Sequence, residues 1–367
     1  MRLDAVTPSP AERFTRRSFV ALLVALGVDN AGSGLFLPLV LVYSTEAVGL
    51  SLAVAGTVVS VGTAIGLLVP AVAGRVVDRL GPKAVVVSSQ VLQAGGLLAY
   101  LLAQDVIGVA VAAVSVTVGL QLFYSALFAL IADAAPPGPR DHAFAVVDMV
   151  RAGAFGAGAL VAGALLTALG TTGLRVAVAL DAATFVLAAL MLVLSVHPRH
   201  HSTDGGSHGG NGGGSLETVP PQELPPRGVL RDRPFSVLIL ATGLIGSASD
   251  VFLIGLPVLA LDQLEAPGWV PGLCLALLTL AVSTLAAAVV RATAGYSRLR
   301  VIAIGGGVTL LWCAVTASAL AVPSTWVPAW LLASTLVLAA SSLLIGTRPN
   351  AVAEAAAPAQ LRGRYLA

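Results

Sequence analysis

Asp29 and Asn30 stand side by side eleven residues into an apolar run that begins at Ser18, among Gly27, Gly32 and Gly34. If that run crosses a lipid bilayer, an ionised carboxylate there costs about 2.5 to 3.5 kcal/mol, so it must face a cavity or a partner. Such a group can take up and release a proton or attract a cationic ligand; the plainer alternative is a structural carboxylate bonded to nearby serine or backbone. Asp250 stands in a second run of this kind. An internal repeat sets it opposite Gly34, one turn beyond Asp29, so two equivalent helices each bring a carboxylate near one central cleft. Asp29, Asn30 and Asp250 are therefore the candidate pathway residues. Asp181 is expected to pair with Arg175, and Asp148 with Arg151 three residues on, the spacing that shares a helix face.

No catalytic constellation accompanies these groups. There is no G-x-x-x-x-G-K-[ST] loop to hold a nucleotide, and no paired His or His/Glu motif lies in the apolar runs, so neither direct ATP use nor an intramembrane enzyme is indicated. Cys274 and Cys313 both sit in apolar runs and read as small buried hydrophobes, not as a disulfide or zinc site. His197, His200, His201 and His208 cluster in a polar segment without fixed geometry and read as solvated. No cofactor and no metal site are expected.

A further charged cluster is Gly74-Arg75-Val76-Val77-Asp78-Arg79-Leu80-Gly81-Pro82-Lys83, a short stretch between apolar runs at 48–73 and 84–102. Each run is long enough to cross a layer about 30 Å thick at about 1.5 Å per residue, which puts the stretch at a membrane surface. Its pattern, G-x-x-x-D-R-x-G-x-K, resembles the signature loop between the second and third helices of major facilitator superfamily transporters, through Gly74, Asp78, Arg79, Gly81 and Lys83. In that family the Asp latches two helical bundles at their cytoplasmic faces, so the resemblance implies the same role for Asp78. The second-half copy is degraded, with Leu299 where Asp78 would repeat. In the fifth run, Gly153, Gly156, Gly158 and Gly163 permit close helix approach. They stand where drug/proton antiporters of this family carry a Gly-Pro motif, here without the proline. The fourth run lacks the antiporters' arginine, and Gln121 is its nearest polar residue.

The elements that must position these residues are legible from composition. With 57% hydrophobic and 10% charged residues, the chain departs far from the roughly 25% charged content of soluble domains. Spans are expected at 18–43, 49–73, 84–104, 106–132, 144–169 and 174–196, then at 234–261, 269–293, 299–321 and 327–347. The fold class is thus an all-α polytopic membrane protein with a major-facilitator-like arrangement of six helices plus four. Residues 1–17 form a cytoplasmic N-terminal segment, 18–196 a six-helix bundle, 197–233 a Gly-, Pro- and His-rich flexible linker, and 234–367 an incomplete second bundle. The first run is too long for a signal peptide and stays as a membrane helix. Lys and Arg, Arg175 excepted, fall on one side of the alternating topology, which makes the N-terminus and linker cytoplasmic.

The repeat ties the halves together: Phe19, Gly27 and Phe36 recur 216 positions on as Phe235, Gly243 and Phe252. Ala73-Gly74 recurs 221 positions on as Ala294-Gly295, and Ala132-Asp133-Ala134-Ala135-x-Pro137 as Ala353-Glu354-Ala355-Ala356-x-Pro358. Parallel halves are what the family has. Against that repeat the chain stops short of an eleventh helix, at Leu361-Arg362-Gly363-Arg364-Tyr365. The reading is a multi-pass cell-membrane transporter, a monomer, moving a small molecule by alternating access. Gradient-driven efflux of an amphipathic compound is expected, with a cationic compound as the candidate substrate, protons as the candidate coupling ion and the lipid bilayer as surroundings. The alternatives are an uptake transporter or a truncated non-transporting membrane protein. A net charge of +2, spread along the chain, leaves no case for a nucleic-acid partner.

Overall fold

A computed structural model describes residues 10–134, 140–195, 233–293 and 295–345. The first residues, most of the 197–233 linker, Arg348, the Glu354 repeat and the start of an eleventh helix lie outside the described residues. The long helices are α1 (Pro10–Phe36), α2 (Leu52–Gly66), α3 (Pro70–Leu80), α4 (Pro82–Leu102), α5 (Val106–Ala134), α6 (Arg140–Leu169) and α7 (Thr171–Ser195) in the first half. The second half holds α8 (Arg233–Asp250), α9 (Trp269–Ala292), α10 (Arg298–Ser318) and α11 (Val327–Ile345). Among the described residues there is no strand. Among the described residues eight stretches are long and apolar enough to cross a membrane alone, and α2 with α3 makes a ninth if the bent pair counts as one span.

That bend corrects the expectation of an uninterrupted helix through 48–73. The helix breaks after Gly66 and resumes at Pro70 with a turn of 52°. Proline at the start of α3 cannot donate to the preceding turn, so it begins a new helix more readily than it continues the old one. A second correction concerns the charged stretch, which is helical through Leu80. Gly81, at φ +80, then serves at once as the end of α3 and the start of α4. A left-handed φ of this kind is where glycine is favoured.

The repeat predicted from sequence reappears as shared irregularity. Beyond α1 the chain passes through a 3₁₀ turn (Leu37–Leu39) and one α turn into a π turn (Tyr43–Ala47). Beyond α8 it runs through π and α turns into a π turn at Leu259–Gln263, again 216 positions on. The aromatics at the repeat positions pack alike. Phe36 stands edge-on to Tyr100 of α4 at 5.1 Å, and Phe252 edge-on to Trp312 of α10 at 6.2 Å.

Inside the first half two apolar cores stack along the helices. One gathers Phe36, Val42, Tyr43, Leu97, Tyr100 and Val178; the other gathers Leu22, Val85, Phe123, Leu130, Val147 and Leu192. Along α1 and α4 the buried polar residues Asp29, Asn30, Ser89, Gln90 and Gln93 fall between the segments that feed the two cores, and Asp181 of α7 is buried among residues of the first. The second half has its own core around Phe252, Trp312, Leu331 and Leu338, which also takes in Ala159 from α6.

The halves meet along α6 and α9. A side chain at Gly272 would land on the Ala159 carbonyl, and one at Gly156 on the Thr279 hydroxyl. The same glycine-rich helix serves α1 through Gly158, where a Cβ would strike the Ala31 carbonyl. Close approach is therefore divided between two partners, while Gly153 faces open space. A second meeting point lies just beyond α1, where Val258 joins Val40, Val42 and Tyr43 in one core. There Glu46 and Asp262, themselves 216 positions apart, lie close enough to interact electrostatically.

Candidate functional site

A cavity of about 600 Å³ opens among α1, α2, α4, α5, α7 and the end of α8. That size suits a drug-sized ligand. Most of its wall is apolar, from Phe36, Val59, Leu97, Val116, Phe185 and Ile254, with hydroxyls from Ser33, Ser60, Thr63 and Thr117. Two carboxamides, Gln93 and Gln121, and two carboxylates, Asp181 and Asp250, supply the stronger polar groups. Asp181 comes from the first half and Asp250 from the second, so the cavity is walled by both.

The sequence-selected residues are placed unequally. Asp250 is exposed on the cavity wall. Asp29 and Asn30 are 4% and 8% exposed and are buried on α1, outside the cavity lining, where the Asn30 amide donates to Asp29 Oδ2 at 3.1 Å and to the Leu26 carbonyl at 2.9 Å. Asp29 thus turns into its own bundle, whereas the sequence reading set it on the cleft.

Asp181 takes the place on the wall. It is 2% exposed, and its Oδ1 has no hydrogen-bond partner. It does not pair with Arg175. Six residues on a helix turn about 240°, so the two face different ways, and this spacing was the signal that could have found Asp181 from sequence. Its carboxylate fits against α1 because Gly32 leaves the room: a Cβ there would overlap Asp181 Oδ1 and Thr184 Oγ1. Thr184 instead donates to the Asp181 backbone carbonyl at 2.7 Å.

Arg151 does not pair with Asp148 either. Its Nη2 donates to the Tyr124 hydroxyl at 3.0 Å, and its guanidinium lies 5.2 Å from the Tyr124 ring centre and 5.7 Å from that of Phe123. This favours a cation held against π faces. Asp148 is exposed. Among the described residues no group of three or more His, Cys, Asp or Glu side chains could hold a metal ion. Cys274 is buried, but Cys313 is exposed, contrary to the expectation for both.

Residues 20–367 match the sequence profile of the Major Facilitator Superfamily. The chain belongs to that superfamily. Solved structures similar to this member include the nucleoside transporter NupG, with a TM-score of 0.73 at 14% identity over 95% of this chain and 85% of that one. The peptide transporter POT in complex with sulfate follows at 0.68 and 14%, over 95% and 84%. A bacterial homologue of the human lysosomal transporter Spinster, inward-facing and unoccupied, gives 0.68 and 15%, over 98% and 78%. A search of curated sequences gives no match. In this superfamily member the signature residues divide by position. Gly74, Asp78 and Arg79 are exposed on α3, Gly81 forms the turn, and Lys83 Nζ donates to the Val193 carbonyl at the end of α7, 3.0 Å away.

Proposed function

We propose that the chain is a secondary active transporter of the cell membrane that exports a small amphipathic compound by alternating access, driven by an ion gradient. The observation that carries this reading is the cavity walled by both halves, apolar over most of its surface, with Asp181 and Asp250 facing into it from opposite halves. An apolar wall accepts a greasy body, and two carboxylates suit a cationic or protonatable head. Rocking about the α6–α9 seam would present such a site to each side in turn, with the N-terminus and linker on the cytoplasmic side and Asp78 acting on the balance between the two states.

The test is flux in proteoliposomes holding the full-length protein, with a lipophilic organic cation as probe and imposed proton or sodium gradients. Gradient-dependent movement of the probe, reduced when Asp250 is replaced by Asn, is expected. No movement of amphipathic probes under either gradient would overturn the reading.

A further inference from the structure

We propose that the cavity holds a single-chain amphiphile, an alkyl chain bearing a protonated amine, with its head at mid-depth and its tail toward one end of the bundle, and that Gly56 limits the tail's length. The amine head rests on the transport reading above; the tail compartment rests on the wall alone. That end of the bundle carries the short connections at 48–51, 103–105 and 170. Depth from it follows from position along each helix, at about 1.5 Å per residue. Thr63 of α2, Gln93 of α4, Thr117 of α5 and Asp181 of α7 stand nine to eleven residues from the helix ends on that side, and Gln121 fifteen.

Nearer the end the wall changes character. Gly56, Leu97, Tyr100 and Ala113 lie two to seven residues from it, and no carboxamide or carboxylate of the wall lies among them. Only Tyr100 of these has a polar side-chain group, and it is 1% exposed with its ring edge-on to Phe36 and Tyr43. Leu97, Tyr100 and Ala113 belong with Val40 to the first apolar core, which packs this end. Exposure runs the other way: on α2, Gly56 and Val59 are half-buried, whereas Ser60, Thr63 and Leu67 are exposed. A ligand therefore enters from the polar side, tail first. A charged head in the apolar part would lose its water without gaining a partner, whereas at mid-depth it meets Asp181 and Asp250, so the orientation is fixed.

From Gln93 to Tyr100 on α4, and from Thr63 to Gly56 on α2, is seven residues, about 10 Å along each helix. An extended alkyl chain, with bonds of about 1.5 Å at about 111°, advances about 1.25 Å per carbon, so the compartment takes about eight carbons. Gly56 keeps it open. A Cβ at this position meets nothing within 4 Å, and Val59, Ser60 and Thr63, three, four and seven residues on, share its helix face along the wall. A larger side chain at 56 thus starts in open space and takes up the room of the tail.

The test is equilibrium dialysis, at neutral pH, of radiolabelled n-alkylamines from butylamine to dodecylamine against the purified full chain in lipid nanodiscs, with uptake by empty nanodiscs subtracted. Affinity should rise about fourfold per carbon up to about eight carbons and then level off. Gly56→Leu should move the levelling point about three carbons shorter, the reach of the new side chain, and leave butylamine affinity unchanged. Asp250→Asn should instead weaken every member by a common factor with the levelling point unmoved. Should Gly56→Leu fail to fold, Gly56→Ala, which adds only the Cβ that meets nothing, carries the same test with a shift of about one carbon. Affinity that climbs through twelve carbons, a levelling point that the substitutions at Gly56 do not move, or no saturable binding of any member overturns the inference. Gradient-driven flux of octylamine in proteoliposomes tests transport separately: a levelling point near eight carbons without flux defeats the transport reading alone, and flux without a levelling point defeats this inference alone.

Discussion

Replacing Gly272 by Ala should loosen the contact on which the two halves turn. The new Cβ would fall on the Ala159 carbonyl oxygen, a backbone atom that no side-chain rotation can move. To restore an ordinary contact the α6–α9 seam must widen by roughly 1 Å. Overpacking of this kind costs about 1 to 3 kcal/mol, a factor of about 5 to 150 in any equilibrium that requires the seam closed. Two neighbours calibrate the effect. At Gly156 the obstacle is the Thr279 hydroxyl, already bonded to the Leu275 and Ala276 carbonyls of its own helix, and turning it aside should cost about 0.5 to 1.5 kcal/mol. At Gly153 nothing lies within reach, so alanine should be neutral or stabilising by up to about 1 kcal/mol through helix propensity. Unfolding free energies from SDS titration of the three purified variants should therefore rank Gly272→Ala below Gly156→Ala, and that below Gly153→Ala. Three equal values, or Gly272→Ala as the mildest, would refute the argument that backbone proximity, not glycine content, defines the seam.

Asp78→Asn should leave membrane insertion intact but depress transport in the full-length protein, through a coupling change of about 1 to 3 kcal/mol; unchanged flux would reduce the stretch to a topological signal. Lys83→Met removes the donor to the Val193 carbonyl and should lower stability by about 0.5 to 1.5 kcal/mol, with a null result showing that water replaces it. A cysteine at Gly210 should react with an impermeant maleimide only from the cytoplasmic side and one at Glu265 only from outside, and reversed labelling would invert the orientation. Cys313, exposed on α10, should react with a lipid-soluble maleimide far faster than buried Cys274.

Helix placement could be read from sequence because a bilayer demands long apolar runs, and the signature residues Gly74 to Lys83 were enough to suggest the family. The bend at Pro70 was written in the chain too, since proline inside an apolar run ends a helix more often than it crosses one. What could not be read was rotation about each helix axis. Asp29 and Asp181 both lie deep in apolar runs, and which one reaches the cavity depends on how Gly32 lets α7 settle against α1, a contact between residues far apart in the chain. Arg151 shows the same limit: its neighbour by spacing is Asp148, but Tyr124 and Phe123 on the next helix offer a better seat.

The π turns that follow α1 and α8 carry Glu46 and Asp262 at corresponding places in the two halves, within reach of each other's charge. A latch made of two like charges resists its own fastening. Repulsion is felt only over the last stretch of approach, because salt at physiological strength screens charges beyond about 8 Å. Where these two turns approach, the apolar contact among Val40, Val42 and Val258 must outweigh that repulsion, so the repeat has placed an opposing force inside one of the contacts between the halves.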